Sequence, residues 1–191
     1  MLCKKTFLTA LLIFSLVHIA HAETYQIDTK KAHAFIQFKI QHLGYSWLYG
    51  RFNTFEGTFD LNTQSPEKSH VQVTVDVSSL DSNHAERDKH LRGSKFLNVD
   101  KYPTANFKST SISLLNDKAA IINGELTLHG VTKTIAIQAA HVGGGHDPWG
   151  GYRQGFTGST TLKLKDFGID YDLGPASTEV TLLLDIEGIR Q

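Results

Sequence analysis

GELTLHGVTKTI, residues 124–135, sets two alternating apolar–polar runs on either side of His129-Gly130. Leu126 and Leu128 share one side of the first run, with Glu125 and Thr127 opposite, and Val131 and Ile135 share one side of the second. A period of two is the repeat of a β-strand, and a two-residue connection whose glycine accepts positive φ is a hairpin turn. The stretch predicts two neighbouring antiparallel strands. The same alternation returns in Ile36, Phe38, Ile40 and His42, with Gln37, Lys39 and Gln41 opposite. It recurs in Val71, Val73, Val75 and Val77 against Gln72, Thr74 and Asp76, and in Val180, Leu182, Leu184 and Ile186 against Thr181 and Asp185. Each run has one covered face.

Runs of this kind fall near 24–27, 34–42, 50–61, 70–78, 104–114, 119–129, 131–142, 153–166 and 178–188. If the first continues into the second, eight long antiparallel strands result. Eight strands close naturally into a barrel whose interior is filled by side chains or holds one small ligand. A two-sheet sandwich is the competing architecture. Glycines 50, 57, 124, 155 and 158 inside strand patterns mark expected bends or bulges of the wall. Only residues 81–98 break the β rhythm. They predict a short helix capped by Asp81, Ser82 or Asn83, pinned by Leu91, Phe96 and Leu97 over a barrel mouth as a lid.

The chain opens with Lys4-Lys5, an apolar run from Phe7 to Val17 and a small-x-small site at Ala20-His21-Ala22, the pattern of a cleaved export signal. The expected division is a signal peptide at 1–22 and one barrel domain at 23–191, located in the periplasm. Removing 22 of 191 residues leaves 169, enough for one core, and discards Cys3, the single cysteine. It also removes two lysines, so 17 basic residues face 19 acidic ones. That balance argues against nucleic acid as a partner.

HAERDKHLRG, residues 84–93, concentrates the ionisable groups. His84-x-Glu86 lacks the downstream cysteine pair of a zinc deaminase. His84 and His90 stand six apart rather than the four that suits a metal on a helix. No metal, no cofactor and no catalytic group is therefore expected. Two readings remain for the cluster. It is a solvated helix face laced with ion pairs, or Arg87, His90 and Arg92, joined by Arg153, converge as donors for an anionic or polar head group while Asp88 orients an arginine. Trp47 and Trp149 read as rim anchors or as plugs of the barrel ends.

Four stretches together resemble the YceI-like family of exported polyisoprenoid-binding proteins: AFIQFKIQHLGYSWLYGRFNTFEGTFDL (34–61), VSSLDSNHAERDKHLRGSKFLNVDKYPTANFKST (77–110), GELTLHGVTKTI and KLKDFGIDYDLGPASTEVTLLLDIEGI (163–189). The R-D-x-H-L element at Arg87, Asp88, His90 and Leu91, followed by Phe96 and Tyr102-Pro103, is its most specific part. Gly93 and Lys95 depart from the small polar and acidic residues usual there. The resemblance implies an all-β fold, an extended lipocalin-like antiparallel barrel of about eight strands with one short helical lid. It also implies a long apolar pore for the tail of a polyprenyl diphosphate or an isoprenoid quinone. Phe38, Ile40, His42, Phe52, Phe59, Val73, Val75, Phe107, Leu126, Phe156, Leu162, Leu182 and Leu184 would then line the pore, with Arg87, Asp88, His90, Arg92 and Arg153 at its mouth. The implied protein is a binding module that breaks no bond. An enzyme using His84, Glu86 and Asp88 on such a lipid is the alternative. The partner is an isoprenoid lipid, with no nucleic acid, no stable membrane insertion and a homodimer left open.

Overall fold

An alternating segment persists as a strand only where its apolar face is covered. In the computed structural model, which describes residues 22–31 and 33–191, those faces cover one another across a closed barrel. The strands are β1 (Glu23–Ile27), β2 (Phe35–His42), β3 (Ser46–Phe52), β4 (Phe55–Leu61), β5 (His70–Asp76), β6 (Leu80–Asp81), β7 (Thr104–Leu114), β8 (Ala119–Leu128), β9 (Val131–His146), β10 (Tyr152–Lys163) and β11 (Glu179–Arg190). Among the described residues one α-helix, α1 (Ala85–Arg92), interrupts them. β1 and β2 both pair with β11, Ile27 opposite Gly188 and Phe35 opposite Asp185, so they are two pieces of one wall strand. β3 pairs with β2 and β4 with β1, so these two, parted at Asn53-Thr54, form the next. β4 leads to β5 and β3 to β6. The ring that closes therefore has eight wall strands, all antiparallel, in sequence order.

The run read as 50–61 begins earlier, at Ser46, and is broken. The helix is shorter than the 81–98 stretch, and its cap is His84, whose Nδ1 accepts the Arg87 N–H at 3.2 Å, rather than Asp81, Ser82 or Asn83. Asp81 is occupied elsewhere, accepting the Asn83 N–H at 2.8 Å, where Asn83 itself takes a left-handed φ of 63°. The His129-Gly130 turn is as expected, with φ of 53° and 75°. The export segment read at 1–22 lies outside the described residues except for Ala22. Among the described residues no helix is long and apolar enough to cross a membrane.

Up-and-down connection puts successive loops at alternate ends. Loops 62–69, 115–118 and 147–151 gather beside the chain's last residue, at what we term the terminal end. Loops 43–45, 77–103 with α1, 129–130 and 164–178 gather at the helix end. There the turn Leu164–Phe167 dips in, and the His129 ring is 3.0 Å from the Phe167 carbonyl.

Apolar residues face inward, the inverse of a membrane barrel's lipid-facing wall. They form two clusters with no shared member. One, around Tyr25, Ile27, Ile36, Phe55 and Phe59, lies toward the terminal end; the other, around Leu126, Leu162, Phe167 and Ile169, lies toward the helix end. Two of the glycines expected to bend the wall instead seat aromatic rings. A Cβ on Gly50 would stand 2.2 Å from the Phe38 ring, and one on Gly124 would stand 2.4 Å from the Phe107 ring. Each ring occupies the space that a side chain at the glycine would fill. A register shift at Gly155/Phe156 is a true bulge.

Candidate functional site

Strand register decides which side chains share the interior. Phe38 and Ile40 stand opposite Leu182 and Val180, Phe52 opposite Ile36, and Ile36 opposite Leu184. Val73 faces Phe107, which faces Leu126, while Val75 pairs with Phe55 and Phe59 with Val71. Phe156 is opposite Ile186, and Leu162 opposite Val180. The thirteen expected pore positions therefore occupy one face. His42 differs from the rest: it ends β2, exposed, at the rim.

Four of these side chains, Phe38, Phe59, Leu126 and Leu162, are buried. Val73, Val75, Phe107, Phe156, Leu182 and Leu184 are only half-buried although they face the axis. A barrel packed to the density of a protein interior leaves no such surface. Grooves of about 480 and 220 Å³ open on the outer wall. Polar outward residues such as Gln26, Glu56, Gln72, Thr74 and Lys108 line the larger, which makes it wet wall rather than lipid site.

The expected cationic mouth is not assembled. Arg87 donates from Nε to the Ser82 hydroxyl at 2.8 Å and from Nη2 to the Ser82 carbonyl at 2.6 Å. Buried Asp88 accepts the Ser82 N–H at 2.8 Å and the Ser82 hydroxyl, so it meets Arg87 only through the serine that accepts the arginine's Nε–H. Arg92 donates to the carbonyls of Ser78 at 2.8 Å and Leu80 at 2.6 Å. The segment 77–82 has carbonyls that need donors, and these side chains satisfy them. His90 is exposed. An Arg87→Ala variant is expected to lose about 1–3 kcal/mol of stability, read in urea melts, with no change in bound ligand per folded molecule; a selective loss of ligand would restore the head-group role.

Arg153 belongs to the other end. Three strands, β7, β8 and β9, separate it from α1, and an odd number of strands always ends on the opposite side. Its guanidinium donates to Asp28 at 2.8 Å, to Asp147 at 2.6 Å and to Glu187, with His33 Nδ1 3.1 Å from Asp28. Burial pushes the Asp28 carboxyl up, but hydrogen bonds from Arg153 and His33 outweigh it and hold the group below its ordinary range. Asp147 is lowered chiefly by Arg153. Asp28, His33 and Glu187 bring ligand atoms within 4.8 Å of one another, yet Arg153 already supplies the cation there. Trp149 lies at this end beside Lys31 and Arg153, whereas Trp47 lies on β3 at the helix end under Lys39.

Among the inward polar residues that the sequence reading missed are His141 and Gln154. His141 follows Ile135, Ile137 and Ala139 on one face of β9, and Gln154 precedes Phe156 and Gly158 on one face of β10. The signal was present as a polar interruption of an apolar face. Tyr25, fully buried, donates to Glu23 at 2.7 Å; burial and that carboxylate push its hydroxyl up to about 12.

The YceI-like domain family matches residues 25–188. A UPF0312 protein of Pseudomonas aeruginosa is 60% identical over 172 residues, 90% of each chain. The crystal structure of the Campylobacter jejuni YCEI protein superposes with a TM-score of 0.72 at 25% identity, over 80% of this chain and 90% of that one. A polyisoprenoid binding domain from Saccharophagus degradans shares the fold, with a TM-score of 0.65 at 15% identity over 87% of this chain and 98% of its own.

Proposed function

This chain belongs to the YceI-like domain family, and from that premise we propose that it is a periplasmic carrier holding the tail of an amphipathic isoprenoid lipid inside its barrel, with no bond made or broken. The observation that carries the reading is that inward apolar side chains, Val73, Val75, Phe156 and Leu184 against one core cluster and Phe107 and Leu182 against the other, stay only half-buried. The isoprenoid class comes from the polyisoprenoid binding domain of like fold. One five-carbon unit contributes roughly 4 kcal/mol gross at about 0.8 kcal/mol per buried CH₂. A few units offset the costs of association. Tail burial thus supplies affinity without a charged clamp, in keeping with arginines spent on carbonyls and carboxylates. The enzyme reading has less support, since His84 caps α1 and Asp88 is held by Ser82.

The test is mass spectrometry of solvent extracts from natively purified protein. A hydrophobic amphiphile at near-stoichiometric amount is expected, and a clean blank from protein released by osmotic shock sinks the reading. Export is checked on the same sample, where the mature N-terminus should be Glu23.

A further inference from the structure

Two polar side chains of the inner face, His141 and Gln154, meet toward the terminal end. His141 stands opposite Phe156, and Gln154 opposite Gly144 and Gly188, which places both on the lining face. His141 Nε2 and Gln154 Oε1 are 2.7 Å apart, Gln154 is 9% exposed, and the His141 ring centroid is 5.2 Å from that of Phe156. The wall is cut to fit this pair, because a Cβ on Gly144 would come within 2.3 Å of the Gln154 amide oxygen. A buried polar pair in an apolar wall costs free energy unless its groups are satisfied. Gln154 engages one nitrogen of the imidazole, which leaves Nδ1 for a group in the lumen.

We propose that His141 and Gln154 are the polar-head subsite of the pore, and that the head they take is an uncharged oxygen, the carbonyl of a quinone or the hydroxyl of a prenol, rather than a diphosphate. This rests on the carrier reading above and narrows it. An amide and an imidazole offer hydrogen bonds without net charge, which suits a carbonyl or hydroxyl. A diphosphate there would bring several negative charges into an apolar barrel, and the arginine in inward register at that end, Arg190 opposite Tyr25, is already paired with Glu23 at 2.8 Å. Arg153, one residue from Gln154, points to the other face and is already held by three carboxylates. Arg87 and Arg92 are at the far end, bound to carbonyls. Lys133, in inward register opposite Leu126, is eight residues along β9 from His141, about 26 Å at a strand's rise.

Calorimetric titration of the delipidated full chain with four probes tests this: ubiquinone with two isoprene units, farnesol, farnesyl diphosphate and the headless hydrocarbon squalene. The unaltered protein is expected to bind the quinone and farnesol more tightly than farnesyl diphosphate. A His141→Leu/Gln154→Leu double variant should lose about tenfold in affinity for the quinone, the scale of one to two hydrogen bonds, with squalene unchanged. His141→Gln, which keeps a hydrogen-bonding end, should recover most of the loss and serves if the double variant fails to fold. Equal loss for squalene, no loss for the quinone, or tighter binding of the diphosphate overturns the subsite while leaving the carrier intact. Failure of the unaltered protein to bind any of the four overturns both.

Discussion

An Arg153→Met variant is expected to lose about 3–5 kcal/mol of stability near neutral pH, the cost of stranding a buried charge, or roughly 6–20 °C in melting temperature for a domain of this size. Methionine keeps much of the packing volume, so the loss measures the missing cation. Asp28 and Asp147 have side chains only 3% and 7% exposed, and Arg153 is the guanidinium both share. The pH dependence has a definite sign. Both carboxyls are lowered in the folded protein, so their contribution is present above the unfolded value of about 3.9 and disappears as pH falls through the folded value. In the variant burial acts on Asp28 against only the His33 and Lys31 hydrogen bonds, so less of the lowering, and of the slope it produces, remains. The gap between the two proteins should therefore be widest at neutral pH and should narrow below about pH 4. A gap that stays constant from pH 4 to 8, or one below about 1 kcal/mol, would show that the network is ornamental.

Leu182→Asp and Leu183→Asp, one residue apart on β11, should behave as opposites. Leu182 pairs with Phe38 and Thr160 on the lining face; Leu183 pairs with Gln37 and Ser159 on the outer face. A carboxylate among apolar lining residues excludes a hydrocarbon tail, so lipid recovered per mole of Leu182→Asp should fall at least about tenfold. Leu183→Asp should stay loaded. The folded state of Leu182→Asp is itself informative. In a hollow barrel the carboxylate is hydrated and the protein folds, whereas in a filled barrel it is buried alone and the protein unfolds. Equal lipid content in the two variants would contradict the pore.

Much of this molecule is legible along the chain because alternation is a short-range property. Val71, Val73 and Val75 declare their common face without reference to anything distant, and His129-Gly130 declares its turn through its own backbone preference. The position of Arg153 was also within reach of the sequence. Counting the three strands between α1 and the 147–151 loop assigns them to opposite ends, once the up-and-down connection is granted.

By itself, then, the sequence determined eight wall strands, the face each turns inward, and the family those stretches resemble. Tertiary structure alone decided which charged groups were already spent, since a guanidinium's partner is set by whichever carbonyl or carboxylate folding brings near. Ser82 and Ser78 took Arg87 and Arg92 in this way, and Asp28, 125 residues distant, took Arg153. It alone also decided that the Phe38 and Phe107 rings lie on Gly50 and Gly124, leaving lining surface uncovered. Whether a barrel is full depends on volume across its axis, and a one-dimensional pattern records which side a residue faces but not how far its side chain reaches.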